Sequence, residues 1–348
     1  MNASDTKIAV AISGGVDSLI TTCLLKAEGF VVKGFHFITG FEPNHNENLD
    51  KIKALYAKLD VDLEVLDLSA PFRAKVVDYF AAAYRAGRTP NPCMVCNPAI
   101  KFGLLLEHVR AQGFAKLATG HYARVVQNDG ICHLLKGLDQ TKDQSYFLAL
   151  LSQAQLSQVL FPLGDLQKNA VKAMAREFGV EPIHKDESQD ICFIKGDYVE
   201  FLQNRLGFKT QKGPVIRRDG TVIGEHRGLY HFTVGQRRGI NIPAEKPYYV
   251  LELKPQDNVL VAGFADELGT RVFYAENINW LTEKPLEPFD AKVKIRYRSR
   301  EIPCKATPLP DSRLMVELSE PQAVVSPGQG AVLFDGDRVL CGGFITLT

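Results

Sequence analysis

The chain lacks any apolar run of membrane-spanning length, and its amino terminus lacks the basic flank, apolar core and small-residue cleavage site of a secretory signal. We therefore expect a cytoplasmic protein with no membrane partner. An excess of either charge is also missing, because 41 Lys and Arg balance 40 Asp and Glu for a net charge of +1. A nucleic-acid partner must accordingly be bound by a local basic patch and not by the charge of the whole molecule.

A second Cys-x-x-Cys is missing too, although the chain has seven cysteines. The single pair, Cys93 and Cys96, lies in TPNPCMVCNPAIKF, residues 89–102. In a reducing compartment clustered cysteines indicate metal binding or catalysis before structural disulfides. Structural zinc normally takes four protein ligands, which argues against zinc. A thioredoxin-like redox pair should lie at the start of a helix, whereas Pro92 and Pro98 predict a loop here. A redox pair is therefore the weakest interpretation.

Alternating strand-like and helix-like segments in the first half predict an α/β fold, a doubly wound parallel sheet with helices on its faces. After about residue 205, short alternating segments broken by Gly, Pro and Asp-Gly turns predict two small, mostly-β domains, the last a β-barrel. The predicted domains are an α/β domain at 1–205, a central β-rich domain at 206–270 and a barrel at 271–348.

The hexapeptide SGGVDS, residues 13–18, follows the first predicted strand and opens the first helix. Its two glycines permit a tight turn and close approach to a ligand, and the helix start offers unpaired N–H donors to an anion. The spacing and the Gly-Lys-Ser/Thr end of a Walker A loop are absent. A plain turn with Asp17 and Ser18 at the helix start is the structural alternative, but the whole hexapeptide in this setting favours a phosphate site.

SGGVDS resembles the pyrophosphate loop of the ATP pyrophosphatase (PP-loop) superfamily, whose fold is adenine nucleotide alpha hydrolase-like. Its members split ATP between the α- and β-phosphates, adenylate a carbonyl oxygen and let a nucleophile displace AMP. The resemblance implies ATP and Mg²⁺ as cofactors, with Asp17 catalytic. The implied cofactor-binding residues are Ala11, Ile12, Ser13, Gly14, Gly15, Val16, Asp17, Ser18, Phe37 and Gly120.

Further stretches resemble, in the same order, the bacterial tRNA-specific 2-thiouridylases of the MnmA/TrmU family. They are TPNPCMVCNPAIKFG, ATGHYAR, KDQSYFL, FPLG, SQDICFI, GQRRG and RYR. The resemblance implies a tRNA-uridine 2-sulfurtransferase that adenylates the 2-carbonyl oxygen of the wobble uridine and then transfers sulfur, releasing AMP and pyrophosphate. Its implied partners are tRNA and a sulfur donor: a cysteine desulfurase, a sulfur relay protein or inorganic sulfide.

The same resemblance implies that Cys192 carries a persulfide and that Cys96 is its nucleophilic, resolving partner, able to pair with it as a disulfide. A buried core cysteine is the structural alternative for Cys192, which lies in apolar ICFI. The flanking Ser188, Gln189 and Asp190 fit the family pattern and favour the catalytic role.

Cys93 departs from the family, whose commoner form has aspartate at this position. Cys93, Cys96 and Cys192 together are a soft ligand set that suits a 4Fe–4S cluster with one open iron. A persulfide relay through Cys192 and Cys96, with Cys93 a bystander, is the family's standard mechanism. The sequence leaves relay and cluster open.

Basic residues concentrate late in the chain, and alternation in KVKIRYRSR, residues 292–300, predicts a strand with every basic side chain on one face. A solvated edge strand is the structural alternative. The resemblance implies tRNA contacts at Arg296 and Tyr297, anticodon-region contacts at Lys142, Asp143 and Gln144, and target-base contacts at Asn91, Pro92 and Cys93.

Two other functions fit parts of the sequence. A PP-loop synthetase or amidotransferase acting on a small molecule would explain the ATP site, but it leaves the cysteines without a role, and no glutaminase domain is visible. A non-catalytic RNA-binding or sulfur-sensing protein on an inherited fold is disfavoured by the intact loop at residues 13–18.

Overall fold

A computed structural model describes residues 6–42, 45–183 and 191–347 of the chain. The chain divides into two compact units, each built from three segments. The first unit comprises Met1–Val76, Cys93–Phe193 and Gly336–Val339, and the second comprises Val77–Pro92, Ile194–Asp335 and Leu340–Thr348. No described helix is long and apolar enough to cross a membrane.

The described elements up to residue 177 alternate in type, as the sequence predicts. In chain order they are β1 (Lys7–Ala11), α1 (Val16–Ala27), β2 (Val31–Ile38), α2 (His45–Lys58), β3 (Leu63–Asp67), α3 (Ser69–Phe72), a π-helix (Arg73–Val77), α4 (Asp78–Arg85), α5 (Pro92–Cys96), a second π-helix (Asn97–Leu105), α6 (Leu106–Ala111), β4 (Lys116–Ala118), β5 (Ala123–Asn128), β6 (Ile131–Lys136), α7 (Ser145–Leu148), α8 (Gln153–Leu156), β7 (Val159–Leu160) and α9 (Lys168–Glu177).

From residue 198 onward the described structure is mostly strand. It contains α10 (Tyr198–Leu206), β8 (Gly213–Ile216), β9 (Val222–His226), a 3-10 turn (Leu229–His231), β10 (Tyr249–Lys254), β11 (Val259–Gly263), a 3-10 turn (Ala265–Glu267), β12 (Thr270–Trp280), β13 (Phe289–Lys294), β14 (Ile302–Pro308), β15 (Leu314–Gln322), β16 (Gly330–Asp335) and β17 (Arg338–Thr346).

The first unit is organised by a five-stranded sheet in the order β3-β2-β1-β4-β7. Its strand pairs are all parallel. The chain leaves β1 toward β2 and β3 on one side and returns to β4 on the other, so the topological switch point lies between β1 and β4. Ligands of open α/β sheets bind at this point, beyond the carboxyl ends of the strands. The predicted doubly wound sheet is confirmed, and its ligand crevice belongs to the loops after β1 and β4.

The core of this unit forms because apolar residues recur at helical spacing against buried strands. Leu19, Ile20 and Cys23 of α1 are buried on one face, and they pack with Ile8 and Val10 of β1. This packing fixes α1, and with it the loop that precedes α1, against the central strand of the sheet.

A charged cluster between β2, β3 and α6 ties the sheet to its helix. Glu64 Oε2 lies 2.6 Å from Lys33 Nζ, and Glu64 Oε1 lies 2.6 Å from His108 Nε2. Burial alone would raise the pKa of Glu64, but hydrogen bonds from Lys33, His108 and Gln112 lower it to about 2. The folded chain therefore stabilises the ionised form of Glu64 more than the unfolded chain does.

This cluster predicts an acid-dependent loss of stability. Because the folded pKa of Glu64 lies below its unfolded value of 4.5, its contribution is complete above that value and is lost as pH falls toward the folded pKa. We expect Glu64→Gln to lower the free energy of unfolding by about 2 kcal/mol at neutral pH and to flatten its decline below about pH 5. Urea unfolding at a series of pH values measures this. The exposed Glu107→Gln is the charge-matched control, and an unchanged acid limb in Glu64→Gln would contradict the assignment.

The second unit contains two all-β assemblies. A four-stranded sheet in the order β10-β11-β8-β9 packs around Val215, Val250 and Leu260. The strands β12-β15-β14-β13-β16-β17 follow one another, and pairing of β12 with β17 closes them into a barrel. Ile302, Cys304 and Ala306 alternate inward along β14, as a half-buried strand requires. The predicted small β domains and terminal barrel are confirmed.

A hairpin in the first unit was missing from the sequence prediction. β5 and β6 pair antiparallel from Ala123–Lys136 to Asn128–Ile131. They are joined at Asp129 and Gly130, which both have positive φ, at 49° and 82°. An Asp-Gly pair between two β-prone runs is a strong hairpin signal and could have revealed it.

Candidate active site

The loop at residues 13–18 is pinned by its own serines. Ser18 Oγ donates to Gly15 O at 3.0 Å, and Ser13 N donates to Ser18 Oγ at 3.3 Å. Gly14 has a φ of 82°, in the left-handed region that favours glycine. Gly15 is the residue before α1, and no side chain caps that helix start. The first N–H groups of α1 therefore have no side-chain cap and can serve an anionic ligand.

A partly buried ion pair includes the aspartate of this loop. Lys168 Nζ donates to both carboxylate oxygens of Asp17, at 2.6 and 2.7 Å, and its side chain is only 8% exposed. Tyr122 donates its hydroxyl to Asp17 Oδ1 at 2.8 Å. Lys168 is itself fixed, because its backbone N–H donates to Asp139 Oδ2 at 3.0 Å. The loop aspartate is thus held in one orientation by groups from two other segments, and Asp139 in turn holds Lys168.

Sequence reasoning missed this arrangement. Tyr122 lies in the quoted stretch ATGHYAR without having been assigned a role, and Lys168 opens an amphipathic helix, where lysine is usually a solvated residue. Lys168 is 151 residues from Asp17. A local sequence pattern cannot predict a contact between residues so far apart in the chain.

The other predicted ATP-site residues lie around the same switch point. A Cβ at Gly120 would lie 2.8 Å from the backbone carbon of Asp17, so only glycine fits where the segment after β4 meets α1. Ala11 and Ile12 are buried at the end of β1, and Ile12 O lies 2.9 Å from His36 Nδ1. Phe37 is half-buried near the end of β2. Their contact with ATP stays a prediction.

The Cys-x-x-Cys lies in a helix, so the loop predicted between Pro92 and Pro98 is wrong. Pro92 is the first residue of α5, a position where its missing N–H costs nothing. After Cys96 the helix continues as the π-helix Asn97–Leu105. Pro98 has no N–H to donate at the point where the helix widens. The predicted loop was the argument against a redox pair, and that argument no longer holds.

The π-helix decides which side chains share a face with the cysteines. Its hydrogen bonds join residues five apart, so Lys101 follows Cys96 by about one π-turn. Cys93 and Cys96 are three apart on α5 and are neighbours on one face. The π-turn thus keeps Lys101 near the side of the helix that carries Cys96, whereas five residues of a regular α-helix would carry it roughly 140° round the axis.

Gln155 of α8 supports the π-helix with one amide group. Its Nε2 donates to Pro98 O and to Phe102 O, both at 2.8 Å. Its Oε1 accepts from Ser152 N at 2.9 Å as part of a capping box. One side chain of α8 thus bonds to two carbonyls of the π-helix.

We expect Gln155→Leu to uncouple sulfur chemistry from ATP chemistry. The variant loses two hydrogen bonds to buried carbonyls, which costs about 1–3 kcal/mol of stability, and it frees the π-helix to rearrange. Thiolated uridine should fall about tenfold, while ATP-dependent pyrophosphate release is retained. Quantification of both products checks this. Gln158→Leu, which removes an amide bound to Ala154 O on the same helix end, is the control and should behave as the unaltered chain.

Three cysteine thiols act on one another and on Lys101. Burial raises the pKa of Cys93 to about 11, with a further rise from the Cys192 thiolate, opposed by Lys101. Burial raises the pKa of Cys96 to about 12, again opposed by Lys101. Cys192 is exposed as a whole residue and is not a core cysteine, but the protein around its thiol raises its pKa by burial, which Lys101 opposes and Glu42 assists. The structure therefore brings the three predicted cysteines to one site with a single lysine. In a thioredoxin-like pair the cysteine pKa is lowered, so the raised pKa values here still argue against a redox function.

All seven cysteines are free, so Cys96 and Cys192 are not joined as a disulfide in this structure. Cys23, Cys132, Cys304 and Cys341 are buried apart from the site. Among residues 6–42, 45–183 and 191–347, no group of three or more His, Cys, Asp or Glu side chains has metal-binding geometry. The three thiols in this arrangement thus do not form a ready cluster ligand set. Ser188, Gln189 and Asp190 lie outside the described residues.

His121 is a further polar group that the sequence analysis did not single out. Its Nδ1 lies 2.7 Å from Thr119 Oγ1, and its ring meets Phe161 edge-on at 5.8 Å. Burial and the positive charge of Lys101 hold its pKa well below the usual value. The imidazole is therefore neutral.

The predicted anticodon-region residues make internal hydrogen bonds. Asp143 is buried, and its carboxylate accepts from Gly137 N at 3.1 Å and Ser145 N at 3.0 Å. Gln144 Oε1 accepts from Tyr122 N at 3.0 Å. Lys142 is half-buried beside them. Of the predicted base-contacting residues, Asn91 and Pro92 are buried and Cys93 is half-buried. Their roles toward tRNA stay predictions.

The basic strand predicted at 292–300 ends early, because β13 stops at Lys294. A turn follows, in which Ser299 N donates to Arg296 O at 3.1 Å and Ser299 Oγ donates to the same oxygen at 2.8 Å. The alternation of exposure continues through the turn, so Arg296 is exposed while Tyr297 is half-buried. The predicted strand is therefore wrong beyond Lys294. Contact of Arg296 and Tyr297 with tRNA stays a prediction.

Comparison with known proteins places these features in a family. Family profiles match three parts of the chain: a tRNA methyl transferase HUP domain at residues 6–196, a tRNA methyl transferase PRC-barrel domain at 199–263 and an aminomethyltransferase beta-barrel domain at 270–345. The class is thus a HUP-type α/β domain followed by two β modules.

Curated relatives narrow that class. Proteins named tRNA-specific 2-thiouridylase MnmA are 44% identical in Desulfosudis oleivorans, covering 99% of this chain and 96% of that protein, and 43% identical in Chlorobium phaeobacteroides, covering 97% of each. The chain belongs to the tRNA-specific 2-thiouridylase (MnmA) family, as the motifs predict. Among solved structures, the U34-tRNA thiolase NcsA from Methanococcus maripaludis with its [4Fe-4S] cluster is 16% identical over 59% of this chain and 69% of that one, with a TM-score of 0.38. That likeness carries no argument about this chain.

Proposed function

We propose that this chain is an ATP-dependent tRNA 2-thiouridylase that acts on the wobble uridine. The observation that carries the proposal is the presence, in one compact unit, of the loop at residues 13–18 and of three thiols around Lys101. Neither a small-molecule synthetase nor an RNA-binding protein needs that thiol group. Similarity to named thiouridylases over nearly the whole chain supports the same function.

In the first step the loop and the start of α1 bind the phosphates of ATP with Mg²⁺. The 2-carbonyl oxygen of the uridine attacks the α-phosphorus, and the bond to the β-phosphate oxygen breaks, so pyrophosphate leaves. Backbone N–H groups of Gly14 and Gly15 stabilise the negative charge on that leaving group. Asp17, oriented by Lys168 and Tyr122, would hold the magnesium ion, which would supply further positive charge to the leaving group. Adenylation turns a poor leaving oxygen into a good one.

In the second step Cys192 carries a persulfide supplied by a sulfur-donor protein. Its terminal sulfur attacks C2 of the adenylated uridine, and AMP leaves with the former carbonyl oxygen. The Cys96 thiolate then attacks Cys192 Sγ, which breaks the S–S bond to the tRNA sulfur, forms a Cys96–Cys192 disulfide and releases 2-thiouridine. A thiol reductant restores both cysteines. Lys101 is placed to favour the thiolate that each transfer requires.

A 4Fe–4S cluster on Cys93, Cys96 and Cys192, taking inorganic sulfide, is the alternative route. Thiolates are the ligands that such a cluster takes. Among the described side chains, however, no group of three has metal-binding geometry. We therefore derive the mechanism from the persulfide relay. Contacts of Asn91, Pro92, Cys93, Lys142, Asp143, Gln144, Arg296 and Tyr297 with tRNA, and the domain division at 205 and 270, form part of the proposal.

The proposal is tested on protein purified without oxygen, with iron and sulfide analysis and an ultraviolet–visible spectrum. The protein is then given ATP, Mg²⁺, unmodified tRNA and either a persulfide donor or sulfide. We expect 2-thiouridine, AMP and pyrophosphate in equal amounts, dependent on all components. Pyrophosphate release driven by an amino acid or a nucleotide without tRNA would contradict the function. Stoichiometric iron that is required for product would replace the relay with the cluster.

A further inference from the structure

A cavity of about 310 Å³ opens in the four-stranded β assembly of the second unit. Its wall combines apolar Ile240 and Ile242 with Arg237, Arg238, Asn241 and Tyr248. The volume lies at the lower end of the range for pockets that hold a small ligand. The quoted stretch GQRRG contributes both arginines, and nothing in the proposed reaction uses them.

The loop that carries the arginines is held in place. Gln236 Nε2 donates to Arg238 O at 2.7 Å, and Gln236 Oε1 accepts from Thr233 N at 3.0 Å. The backbone of Gly235 and Gln236 exchanges hydrogen bonds with Val250 of β10, at 2.8 and 2.9 Å. The guanidinium groups therefore project from a fixed loop.

Within the described part of the chain, no carboxylate neutralises these two positive charges. Among the residues that the structure describes, neither Arg237 nor Arg238 makes an ion pair or a side-chain hydrogen bond, whereas Arg217 of the same assembly pairs with Glu267 at 3.7 Å. Adjacent like charges without a carboxylate favour an anion, and the planar guanidinium matches the oxygens of a phosphate.

The cavity lining also includes an aromatic ring, that of Tyr248. The ring of Tyr248 stacks on Phe264 with centroids 4.9 Å apart and planes 10° apart, and Arg217 Cζ lies 5.0 Å from the Phe264 ring. Tyr248 is thus held rigidly where it lines the cavity. A nucleobase stacked on it would extend this ladder. Asn241, which has a φ of 54°, supplies an amide for the edge of a base.

We propose that this cavity binds one nucleotide of an RNA, with its phosphodiester on Arg237 and Arg238 and its base against Tyr248. The inference rests on the proposed function, because the RNA would be the tRNA that the chain thiolates. A free nucleoside di- or triphosphate fits less well, since the lining residues include no carboxylate to hold its magnesium ion.

The test measures the dissociation constant of tRNA for the full-length chain at several salt concentrations. We expect Arg237→Ala/Arg238→Ala to weaken binding about tenfold at ~0.1 M salt and to reduce the slope of log Kd against log salt by about 1–2. Tyr248→Leu should weaken binding while leaving that slope unchanged, because stacking releases no counterions. Arg176→Ala/Arg205→Ala removes the same charge from exposed helical positions and should leave binding within about twofold. An unchanged slope in the first variant would overturn the inference.

A second measurement separates RNA from free nucleotides. Phenylglyoxal modification of Arg237 and Arg238, mapped by mass spectrometry, should be blocked by tRNA and not by ATP. Equal protection by ATP overturns the assignment to RNA. Formation of 2-thiouridine by the unaltered chain is scored in parallel. If it forms while the arginine variant binds tRNA normally, this inference alone fails. If no 2-thiouridine forms yet the slope still falls, the proposed function fails and the RNA site stands.

Discussion

Lys168→Met is expected to abolish ATP-dependent pyrophosphate release while leaving the chain folded. The substitution removes both hydrogen bonds from the ammonium group to Asp17, so the loop aspartate loses the cation that orients it. Loss of one or two charge-assisted bonds of about 1.5–3 kcal/mol each lowers the rate by roughly a hundredfold or more. Pyrophosphate release with ATP and unmodified tRNA measures the effect.

Stability and position controls accompany this variant. Asp17 is one-third exposed, so we expect a modest loss of about 1–3 kcal/mol in the free energy of unfolding. Lys168→Arg should retain part of the activity because it keeps the charge. Lys172→Met, one turn later on the exposed side of α9, should be as active as the unaltered chain. A folded Lys168→Met protein with full pyrophosphate release would disprove the role of the pair.

Cys192→Ser is expected to yield no 2-thiouridine while still releasing pyrophosphate. A hydroxyl cannot carry a persulfide, whereas adenylation uses the loop at residues 13–18 and not the thiols. Product nucleoside analysis, with pyrophosphate measured in the same reaction, separates the two steps. Loss of both products together would show that the cysteine is needed for the fold or for ATP binding, against the proposed division of steps.

The companion variants decide between relay and cluster. In a relay Cys96→Ser also stops thiolation, and Cys93→Ala retains it within a few-fold because Cys93 is a bystander. In a cluster Cys93→Ala loses both iron and product. Cys304→Ser removes a buried thiol of the barrel and is the control for a general effect of losing a cysteine.

The sequence predicts well those features that depend on residues adjacent in the chain. SGGVDS identifies the phosphate loop because strand, glycines and helix start are adjacent in the chain. The parallel sheet with helices on its faces follows from the alternation of strand-like and helix-like segments. The shared site of Cys96 and Cys192 was reached only through family resemblance, since the two lie 96 positions apart in the sequence.

The errors have physical causes. Two prolines in PCMVCNP indicate a loop by local preference, yet Pro92 sits at a helix start and Pro98 at the widening of a π-helix, where a side chain from α8 satisfies the carbonyls. Alternation in KVKIRYRSR predicts a strand, but hydrogen bonds of Ser299 turn the chain after Lys294. Lys168 acquires its role only through tertiary contacts, and Lys101 reaches the face of Cys96 only because the helix widens there. Helical or strand periodicity encodes neither feature.

The division of the chain into two interleaved units constrains how the protein is made. The short segment Gly336–Val339 belongs to the first unit, where Lys136 Nζ donates to Gly336 O at 2.7 Å and Arg124 pairs with Asp337 at 3.0 Å. A ribosome delivers Gly336–Val339 only after residues 194–335 of the second unit, so the nucleotide-binding unit cannot be completed when synthesis reaches residue 193. Closure of these non-local contacts waits until residue 339 has been made, which slows folding and leaves a chain terminated before that point incomplete in both units.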